Sequence, residues 1–379
     1  MDFELTSEQQ LLQDSVRRYV DKAYSFESRM ALLGAGKNGS ADNWGIFASQ
    51  GWLMAALPEE YAGLGGSLLE TAIIAQQLGR ALVLEPYVGC AVLAAQTLAA
   101  CDNTAHKARW LPQLAEGACR IALAYSEPGS RGMPETVTVR AERNGEGFTL
   151  NGTKTLVMGA DGVQAFIVSA RITGTEGISL LWVDAGSAGL ERQSLPLHDG
   201  TWVQELRLEN VKVGADALLT AEGQGLAALR QGLAHGIVAL CAGLVGGMEK
   251  TLEVTAEYLK VRQQFGVPIG SFQALQHRIA DMAAETELAR SMLHAALASV
   301  ANDSPSNRDK TLSSAKMLIG RAAKIVCAHG IQLHGGIGMT EEYLVGHYYK
   351  HAVVADLLLG SSDSHEAACA AALQAELLD

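Results

Sequence analysis

Apolar residues recur at helical spacing through the first 120 residues of the chain. Thr6 is an N-cap candidate, Gln9 follows three residues later, and Leu12, Val16 and Tyr19 continue the apolar face. Further helical patterns cover SLLETAIIAQQLGRAL and CAVLAAQTLAA, and the glycine-rich segment PEEYAGLGGS provides a turn at 58–67. This part of the chain is therefore predicted to be helical.

The pattern changes to alternation of β-branched and polar residues between positions 121 and 225. The alternating segments are ETVTVRAERNGEGFTLNGTKTLV, QAFIVSARI, GISLLWVDAG and WVQELRLENVKV. Short glycine and asparagine turns separate them, which favours antiparallel pairing in a small barrel or sandwich.

Helical spacing returns after residue 225. One stripe consists of Val245, Met248, Leu252, Thr255 and Leu259. The FGVP segment ends that helix, with Gly266 as the cap candidate and Pro268 as the stop. A new helix is predicted from near Ser271, a polar ANDSPSNRD segment interrupts it, and further helices are predicted over about 310–334 and from about 340.

The order of helices, strands and helices predicts a mainly α fold with a central antiparallel β domain. The predicted domains are an N-terminal helical domain at 1–120, a middle β domain at 121–225 and a C-terminal helical bundle at 226–379. A chain of 379 residues is long enough for two or three packed units.

Composition narrows the classes of partner. The formal net charge of -12, without clustered lysine and arginine, argues against nucleic acid and favours a small ligand. The N-terminal MDFELTSEQQ lacks the layout of a signal peptide and no uninterrupted apolar run approaches 18 residues, so no membrane association is predicted and a cytoplasmic location is expected. The six cysteines show no metal-ligand spacing and are interpreted as reduced structural thiols, with no metal site.

Three motifs give the chain a resemblance to a known family. They are LPEEYAGLGGS, YLKVRQQFGVPIGSFQALQHRIADM at 258–282 and QLHGGIGMTEEYLVGHYYK at 332–350. The chain resembles the acyl-CoA dehydrogenases over essentially its whole length. That resemblance implies FAD as cofactor and a four-helix bundle for the C-terminal domain.

The second and third motifs carry the predicted cofactor site. Arg262 ends one helix and Gln273 lies in the first turn of the next, and both a guanidinium and a helix N-terminus favour phosphate oxygens. The resemblance implies that six residues hold the ADP half of an FAD that belongs to a neighbouring subunit: Arg262, Phe265, Gln273, Gln332, Gly335 and Gly336. Taken singly, each also has a structural interpretation as a salt bridge, core residue, helix start or tight turn.

The half of the site that would contact the flavin ring departs from the family pattern. Relatives have Thr-Glu-Pro, then Gly-Ser-Asp, and later Lys-x-Trp-Ile-Thr, where this chain has AYSEPGSRGMPE and KTLVMG. Ser126 can replace the threonine hydroxyl. Gly132, Met133, Leu156 and Met158 remove hydroxyl, carboxylate and indole groups that would contact an isoalloxazine.

The catalytic base of the family is also absent. Removal of the α proton of an acyl-CoA requires a carboxylate, which most relatives carry directly before a Gly-Thr pair. The corresponding residue here is Leu359, before Gly360 and Ser361, and the alternative family position is Gly236. Ser361 is a weaker cofactor candidate, as is Ser126, and no catalytic residue is assigned.

Retention of the ADP motif with loss of the ring contacts and the base predicts a division of labour. The chain would lend its helical domain to a homologous partner that carries the catalytic glutamate, in a heterotetramer. The closest resemblance is to the small subunits of pimeloyl-CoA dehydrogenases, and the two-subunit steroid side-chain acyl-CoA dehydrogenases are similar. These imply a dicarboxylyl-CoA or a bulky CoA ester as substrate and electron-transfer flavoprotein as acceptor.

Two other interpretations remain open at this stage. One is a non-catalytic scaffold that keeps the fold without redox chemistry. The other is a self-sufficient homotetramer that uses His235, Asp356 or Asp363 as an unusual base. Asp356 and Asp363 would share a face with Leu359 if the helix continues through that position, although solvated surface carboxylates are the favoured interpretation.

Overall fold

The computed structural model describes residues 4–378. Two compact units are present, each built from separate segments. Unit 1 comprises the chain up to Ala31, then Ala72–Val83 and the chain from Val238; unit 2 comprises Leu32–Thr71 and Leu84–Ile237. The mainly α fold class is confirmed by the match to solved members of the family described below.

The N-terminal third is helical, as its apolar spacing predicts. Its helices are α1 Ser7–Ala23, α2 Phe26–Gly34, α3 Ala41–Ser49, α4 Leu68–Arg80, α5 Ala95–Ala99 and α6 Thr104–Ala115. Helix α1 begins with the predicted capping box, in which the Thr6 side chain accepts from the Gln9 backbone and the Gln9 side chain accepts from the Thr6 N–H. Before α5, residues Tyr87–Ala94 form a π-helical turn that the sequence pattern does not distinguish from an α-helix.

The middle segment forms a curled seven-stranded sheet in unit 2. The strands are β1 Ile121–Ala124, β2 Arg140–Arg143, β3 Gly147–Met158, β4 Ala165–Ile172, β5 Ser179–Asp184, β6 Leu190–Pro196 and β7 Trp202–Gly214. The sheet is mixed, because β4 pairs in parallel with both β1 and β2, while β2–β3, β3–β7, β6–β7 and β4–β5 are antiparallel. Short turns fix only the direction of consecutive strands, so they could not predict that β4 lies between β1 and β2.

The C-terminal helices form a bundle, which belongs to unit 1 from Val238 onward. They are α7 Leu226–Val261, α8 Gln273–Asn302, α9 Pro305–His334, α10 Leu344–Leu357 and α11 Ser362–Leu378, with α9 packed against α8, α10 and α11. Helix α7 packs on α9, since Thr251 Oγ1 lies 3.7 Å from Cys327 Sγ. The ANDSPSNRD segment is mostly helical, because Pro305 occupies the first helical position and Ser304 caps it.

Glycines allow a close helix contact in unit 1, between α4 and α7. A Cβ at Gly79 would lie 2.2 Å from the Gly243 carbonyl oxygen, and one at Gly246 would lie 2.0 Å from the Gln76 carbonyl oxygen. No side chain fits at either position, so the two backbones touch. Arg80 then pairs with Glu249 and Glu253 on the flank of the crossing.

Among the described residues, α7 is the one helix with the length and apolarity to cross a membrane. Within its most apolar window, 83% of the residues are buried by the rest of the protein, as in the core helix of a globular protein.

Candidate functional site

The turn between α7 and α8 forms a small exposed hairpin in unit 1. Strands β8 Gln263–Gln264 and β9 Val267–Pro268 pair on either side of a turn at Phe265 and Gly266, whose φ angles are 54° and 82°. Two consecutive positive φ values define a tight hairpin turn, so Gly266 is a turn residue and the prediction that it caps α7 is wrong. The helix ends at Val261, and the backbone N–H of Arg262 donates to the Tyr258 carbonyl at 2.9 Å.

Predicted ADP-binding residues surround this hairpin. Arg262 and Gln273 are exposed, and the Phe265 ring is 91% exposed, with an edge contact to Phe272 at 6.1 Å between centroids. Gln273 begins α8, and the N-cap residue Phe272 provides no side-chain hydrogen bond to the first turn. The Leu275 N–H donates to the Phe272 carbonyl at 3.0 Å, so the N–H groups of Gln273 and Ala274 are the ones available to an anion.

The second glycine motif lies at the same end of unit 1. Tyr258, one turn before Arg262, stacks on His334 at 4.3 Å between centroids and its hydroxyl donates to the His334 carbonyl at 3.4 Å. Gly335 follows His334 directly, so the end of α7 and the end of α9 meet here. Gly335 has φ 65°, and no heavy atom lies within 4 Å of a Cβ built on it or on Gly336.

This end of unit 1 offers both hydrogen-bond donors and open surface for an ADP group. Exposed Gln332, the open surface at Gly335 and Gly336, the Arg262 guanidinium and an uncapped helix N-terminus form a site with free donors and room for a ligand. Apolar side chains are also exposed around it: Val261, Phe265, Val267, Phe272, Ile337 and Met339. The residues present fit the diphosphate half of a dinucleotide, and their assignment to FAD remains a prediction.

The segments predicted to contact the flavin ring lie in unit 2. Ser126 is buried, its hydroxyl lies 3.4 Å from that of Ser130, and its carbonyl accepts the Thr155 N–H at 2.9 Å. Leu156 has φ 53° at a β-bulge of β3, where the pairing with β7 shifts register. Gly132, Met133 and Met158 are partly exposed and present no side-chain hydroxyl or carboxylate. These segments keep a positive φ at Leu156. Gly132, Met133 and Met158 do not fit the polar edge of an isoalloxazine.

A buried ion pair that sequence reasoning missed fixes these segments. The Lys154 ammonium, on a fully buried side chain, donates to Glu127 Oε1 at 2.6 Å, to Ser169 Oγ at 2.8 Å and to the Tyr125 carbonyl at 3.2 Å. Glu127 also accepts from the Thr138 N–H at 2.6 Å and from its hydroxyl. The pair ties the loop after β1 to β3, two positions before Leu156.

Burial affects the pKa values of both Lys154 and Glu127. It lowers the pKa of Lys154 to about 8 although Glu127 acts in the opposite direction. For Glu127, burial acts to raise the pKa, but the ammonium and the Thr138 hydrogen bonds outweigh it, so the pKa lies below its ordinary value. In the sequence, the acidic residue of SEP and the basic residue of KTLV are 27 positions apart, and no periodicity links them.

Leu359 lies in a short loop between α10 and α11 and not in a continuing helix. Its φ is 57°, it is 6% exposed, and its carbonyl lies 2.9 Å from His365 Nε2. The buried Lys316 ammonium donates to the carbonyls of Ala355 and Gly360, both at 2.9 Å, on either side of it. The prediction that Asp356 and Asp363 could share a helical face with Leu359 is wrong, because α10 ends at Leu357.

The alternative bases have other contacts. Asp356 accepts from Lys324 at 2.9 Å and from the backbone and hydroxyl of Ser362, and those hydrogen bonds lower its pKa against the opposing effect of burial. Asp363 is exposed beside Arg321. His235 is buried in α7 with its Nε2 3.1 Å from Gln231 Nε2, next to buried Gly236. These contacts favour structural roles for all three side chains.

Ser361 has a local role as the residue that starts α11. Its hydroxyl accepts the Ser364 N–H at 3.1 Å and lies 2.9 Å from the Ser364 hydroxyl. An N-cap serine satisfies an otherwise unpaired helix donor. Its role as a cofactor contact remains a prediction.

Comparisons with known proteins identify what these features resemble. Family models match in three parts: Acyl-CoA dehydrogenase, N-terminal domain, over residues 6–118; middle domain, over 122–211; and C-terminal domain, over 223–374. A curated relative, Acryloyl-CoA reductase (NADH) from Anaerotignum propionicum, is 27% identical over 97% of this chain and 94% of its own length.

Two solved structures are similar over nearly the full chain. One is the ChsE4-ChsE5 complex from Mycobacterium tuberculosis, with a TM-score of 0.90, 28% identity and coverage of 99% of both chains. The other is a variant of the Tcur3481-Tcur3483 steroid ACAD, with a TM-score of 0.88, 27% identity and coverage of 98% of this chain and 99% of that one. The name of each structure joins two differently named proteins, and the first is described as a complex.

Proposed function

Because this chain belongs to the acyl-CoA dehydrogenase family, whose members bind FAD, we propose that it is one subunit of a two-subunit enzyme that introduces an α,β double bond into an acyl-CoA. Its role is to bind the ADP half of an FAD whose ring lies on a homologous partner. The partner supplies the catalytic base that removes the α proton. The two kinds of subunit assemble into a heterotetramer.

One observation carries this proposal. The position at which family resemblance places the base is a buried leucine, Leu359, while the residues implied for ADP binding are exposed at the end of unit 1. A leucine cannot accept a proton. The contacts of Asp356, Asp363 and His235 described above favour structural roles over that task.

The residues of this chain then act by binding and positioning. Arg262 and the first turn of α8 contact the diphosphate, Gly335 and Gly336 allow the nucleotide to approach the backbone, and Phe265 covers it. FAD, when bound, accepts the hydride that leaves the β carbon. Neither Leu359 nor Gly236 moves a proton.

The substrate class follows from the similar assemblies. A CoA ester with a bulky steroid side chain is the first candidate, supported by similarity to a steroid ACAD, and a dicarboxylyl-CoA is the second. Electron-transfer flavoprotein is the proposed acceptor and the cytoplasm the proposed location. A steroid side-chain CoA, pimeloyl-CoA and butyryl-CoA, assayed in parallel with the complex, separate these substrate classes.

Flavin stoichiometry tests the subunit role. The chain is expressed alone and together with a second family member from the same genome that has tryptophan and glutamate at the positions of Leu156 and Leu359. We expect about one FAD per two chains in the complex, by the sharing of each site between two subunits. One FAD per chain, with reduction of flavin by substrate in this chain alone, would contradict the proposal.

Substitutions assign the roles within the complex. Arg262→Met is expected to lower FAD affinity at least ~10-fold, since a charged phosphate contact is removed. Leu359→Met, a conservative exchange in the same chain, is expected to leave turnover within about twofold because no proton passes through that position. A complex that never binds FAD with any family partner would instead indicate a non-catalytic scaffold.

A further inference from the structure

Unit 2 contains a cleft with an unusual concentration of buried polar atoms that lack a hydrogen-bond partner. The cleft has a volume of about 420 Å³ and lies among the segment 36–41, α3, and the turns at 117–120 and 161–164. Among the described residues, three such atoms belong to its lining: Asn38 Oδ1, Trp44 Nε1 and Glu85 Oε2. An adjoining cavity shares Gly36, Asn38 and Asp161 with this cleft. It also includes Gln204, whose buried Oε1 has no hydrogen-bond partner either.

Glu85 is the strongest of these signals. Its side chain is 5% exposed, and one carboxylate oxygen accepts the Ser40 N–H at 2.9 Å and the Asn43 amide at 2.7 Å. The other oxygen, Oε2, has no donor, and no lysine, arginine or histidine in the described chain forms an ion pair with Glu85. A buried carboxylate normally has a paired cation or a full set of donors, because its desolvation is otherwise uncompensated.

Asn38 Oδ1 and Trp44 Nε1 set the remaining hydrogen-bonding requirements for the ligand. Asn38 Oδ1 is a second acceptor in the same cleft, so the group that binds there must donate more than one hydrogen bond. Trp44 is 7% exposed, and its indole N–H can only donate. A ligand that satisfies all three atoms therefore has N–H donors with positive charge at one end and an acceptor at the other.

We propose that this cleft binds a small primary amine that also carries an oxygen acceptor, as in an amino alcohol or an amino acid. The ammonium group contacts Glu85 Oε2 and Asn38 Oδ1, and the oxygen accepts from Trp44 Nε1. This site lies within unit 2 and does not include the residues proposed to bind FAD.

The walls are consistent with a site that opens locally. The residues of the three unpartnered atoms line the cleft, but the atoms themselves are inaccessible to solvent, so a ligand must displace part of the lining to reach them. Gly36 and Gly39 in this segment have φ values of 65° and 102°, and no heavy atom lies within 4 Å of a Cβ at Gly36.

Calorimetric titration of the full-length chain tests the proposal. The probes are methylammonium, ethanolamine and potassium chlorides, with ionic strength held constant by tetramethylammonium chloride, whose nitrogen has no N–H. Both amines are expected to bind saturably at one site per chain, with ethanolamine about 10-fold tighter because its oxygen adds one hydrogen bond. Potassium is expected not to compete.

Three variants assign the contacts. Glu85→Gln is expected to weaken both amines at least ~10-fold, since it replaces the charged acceptor by an amide. Trp44→Phe is expected to reduce ethanolamine to the affinity of methylammonium. Glu142→Gln, which changes the same charge at an exposed position on β2, is expected to change neither.

Several results would overturn the proposal. They are the absence of saturable binding by either amine, binding of potassium with displacement of the amines, and unchanged amine affinity in Glu85→Gln. Should Glu85→Gln fail to fold, Trp44→Phe decides the matter: ethanolamine that remains 10-fold tighter than methylammonium in that variant would contradict the assigned contacts.

Discussion

In the buried pair of Lys154 and Glu127, the ammonium stabilises the charged form of the carboxylate. Both are essentially inaccessible to solvent, so the ammonium is the main compensation for the carboxylate. Removal of one partner of such a pair leaves an unpaired buried charge. Lys260 and Glu257 form a pair of the same chemistry at 67% and 66% exposure and provide a natural comparison.

Lys154→Met is expected to lower the free energy of unfolding by about 3–5 kcal/mol, the range for breaking a buried ion pair. Lys260→Met is expected to change it by less than about 0.5 kcal/mol, because exposed pairs contribute little. Urea unfolding of both variants measures the difference. Equal effects at the two positions would show that the Lys154 pair does not anchor the loop after β1.

The same pair predicts a pH dependence. In the wild type the pKa of Glu127 is lowered, so its stabilisation is present above the unfolded pKa and is lost as pH falls through the folded pKa. Without the ammonium, burial alone would raise that pKa, and protonation of Glu127 would then relieve the unpaired charge. The deficit of Lys154→Met is therefore expected to shrink between pH 7 and pH 5, measured as the free energy of unfolding of both proteins; a constant deficit would contradict this.

Side-chain identity was accessible from the sequence, whereas local backbone was not. The absence of a base at Leu359 and of ring contacts at Leu156 and Met158 is visible in the letters alone. The left-handed φ of Leu156 and of Leu359 is not, since leucine has no preference for that region and tertiary contacts impose it. For the same reason, no spacing rule could predict that Lys316 holds the loop around Leu359.

At the scale of elements, the hairpin between α7 and α8 combines strain with exposure. Phe265 adopts φ 54°, which asparagine tolerates better than phenylalanine, and its ring is almost fully exposed. Phe265→Asn is therefore expected to leave the isolated chain as stable or to stabilise it by up to ~1 kcal/mol, the cost assigned to a non-glycine residue in that region. In the complex it is expected to lower FAD content.

Unfolding by urea and the flavin absorbance of the purified complex measure these two effects. Leu288→Asn, at an exposed position on α8 that has no left-handed φ, is the control, with no gain in stability and unchanged FAD content expected. A loss of stability in Phe265→Asn together with full FAD content would contradict the assignment of Phe265 to the nucleotide.

The close contact of α4 and α7 at Gly79 and the open surface at Gly45 in α3 predict opposite effects for glycine-to-alanine changes at these two positions. At Gly79 the new Cβ would overlap the Gly243 carbonyl, so Gly79→Ala is expected to destabilise by at least ~1–3 kcal/mol, as overpacking does. Gly45 lies inside α3, and no heavy atom lies within 4 Å of the place that a Cβ would take, so Gly45→Ala is expected to stabilise by about 0.5–1 kcal/mol. Thermal unfolding of the two variants tests this; stabilisation by Gly79→Ala would exclude the close contact.

The sequence predicts which segments are helices and strands better than it predicts how the strands pair and how the helices are connected. The order of helices, strands and helices, the capping box at Thr6 and the start of α8 near residue 271 follow from periodicity and caps. The parallel pairing of β4 and the hairpin at 263–268 depend on partners distant in sequence or on two residues with positive φ. Local rules carry no information on either.

At the scale of the whole molecule, large apolar side chains are exposed around the hairpin. Met339 is 76% exposed and Val261 is 72% exposed, and such patches commonly mark interfaces. Met339→Lys is expected to weaken assembly with the partner at least ~10-fold, since a charge would be buried, while the isolated chain keeps its stability. Sedimentation velocity of the mixed subunits measures assembly.

Leu11 on α1 is also exposed, at 64%, and lies outside the proposed binding end. Leu11→Lys is expected to leave assembly unchanged and serves as the control. If Leu11→Lys disrupted the complex and Met339→Lys did not, the interface would lie elsewhere on the chain.

The ties around Leu359 have a consequence for engineering. Lys316 and His365 hold this loop through main-chain carbonyls, so these contacts do not involve the side chain at position 359. A saturation library at that codon would thus sample reactive groups on a nearly constant support. Differences in activity among the variants could then be attributed to their functional groups. Position 359 is therefore a favourable position at which to introduce a new catalytic side chain.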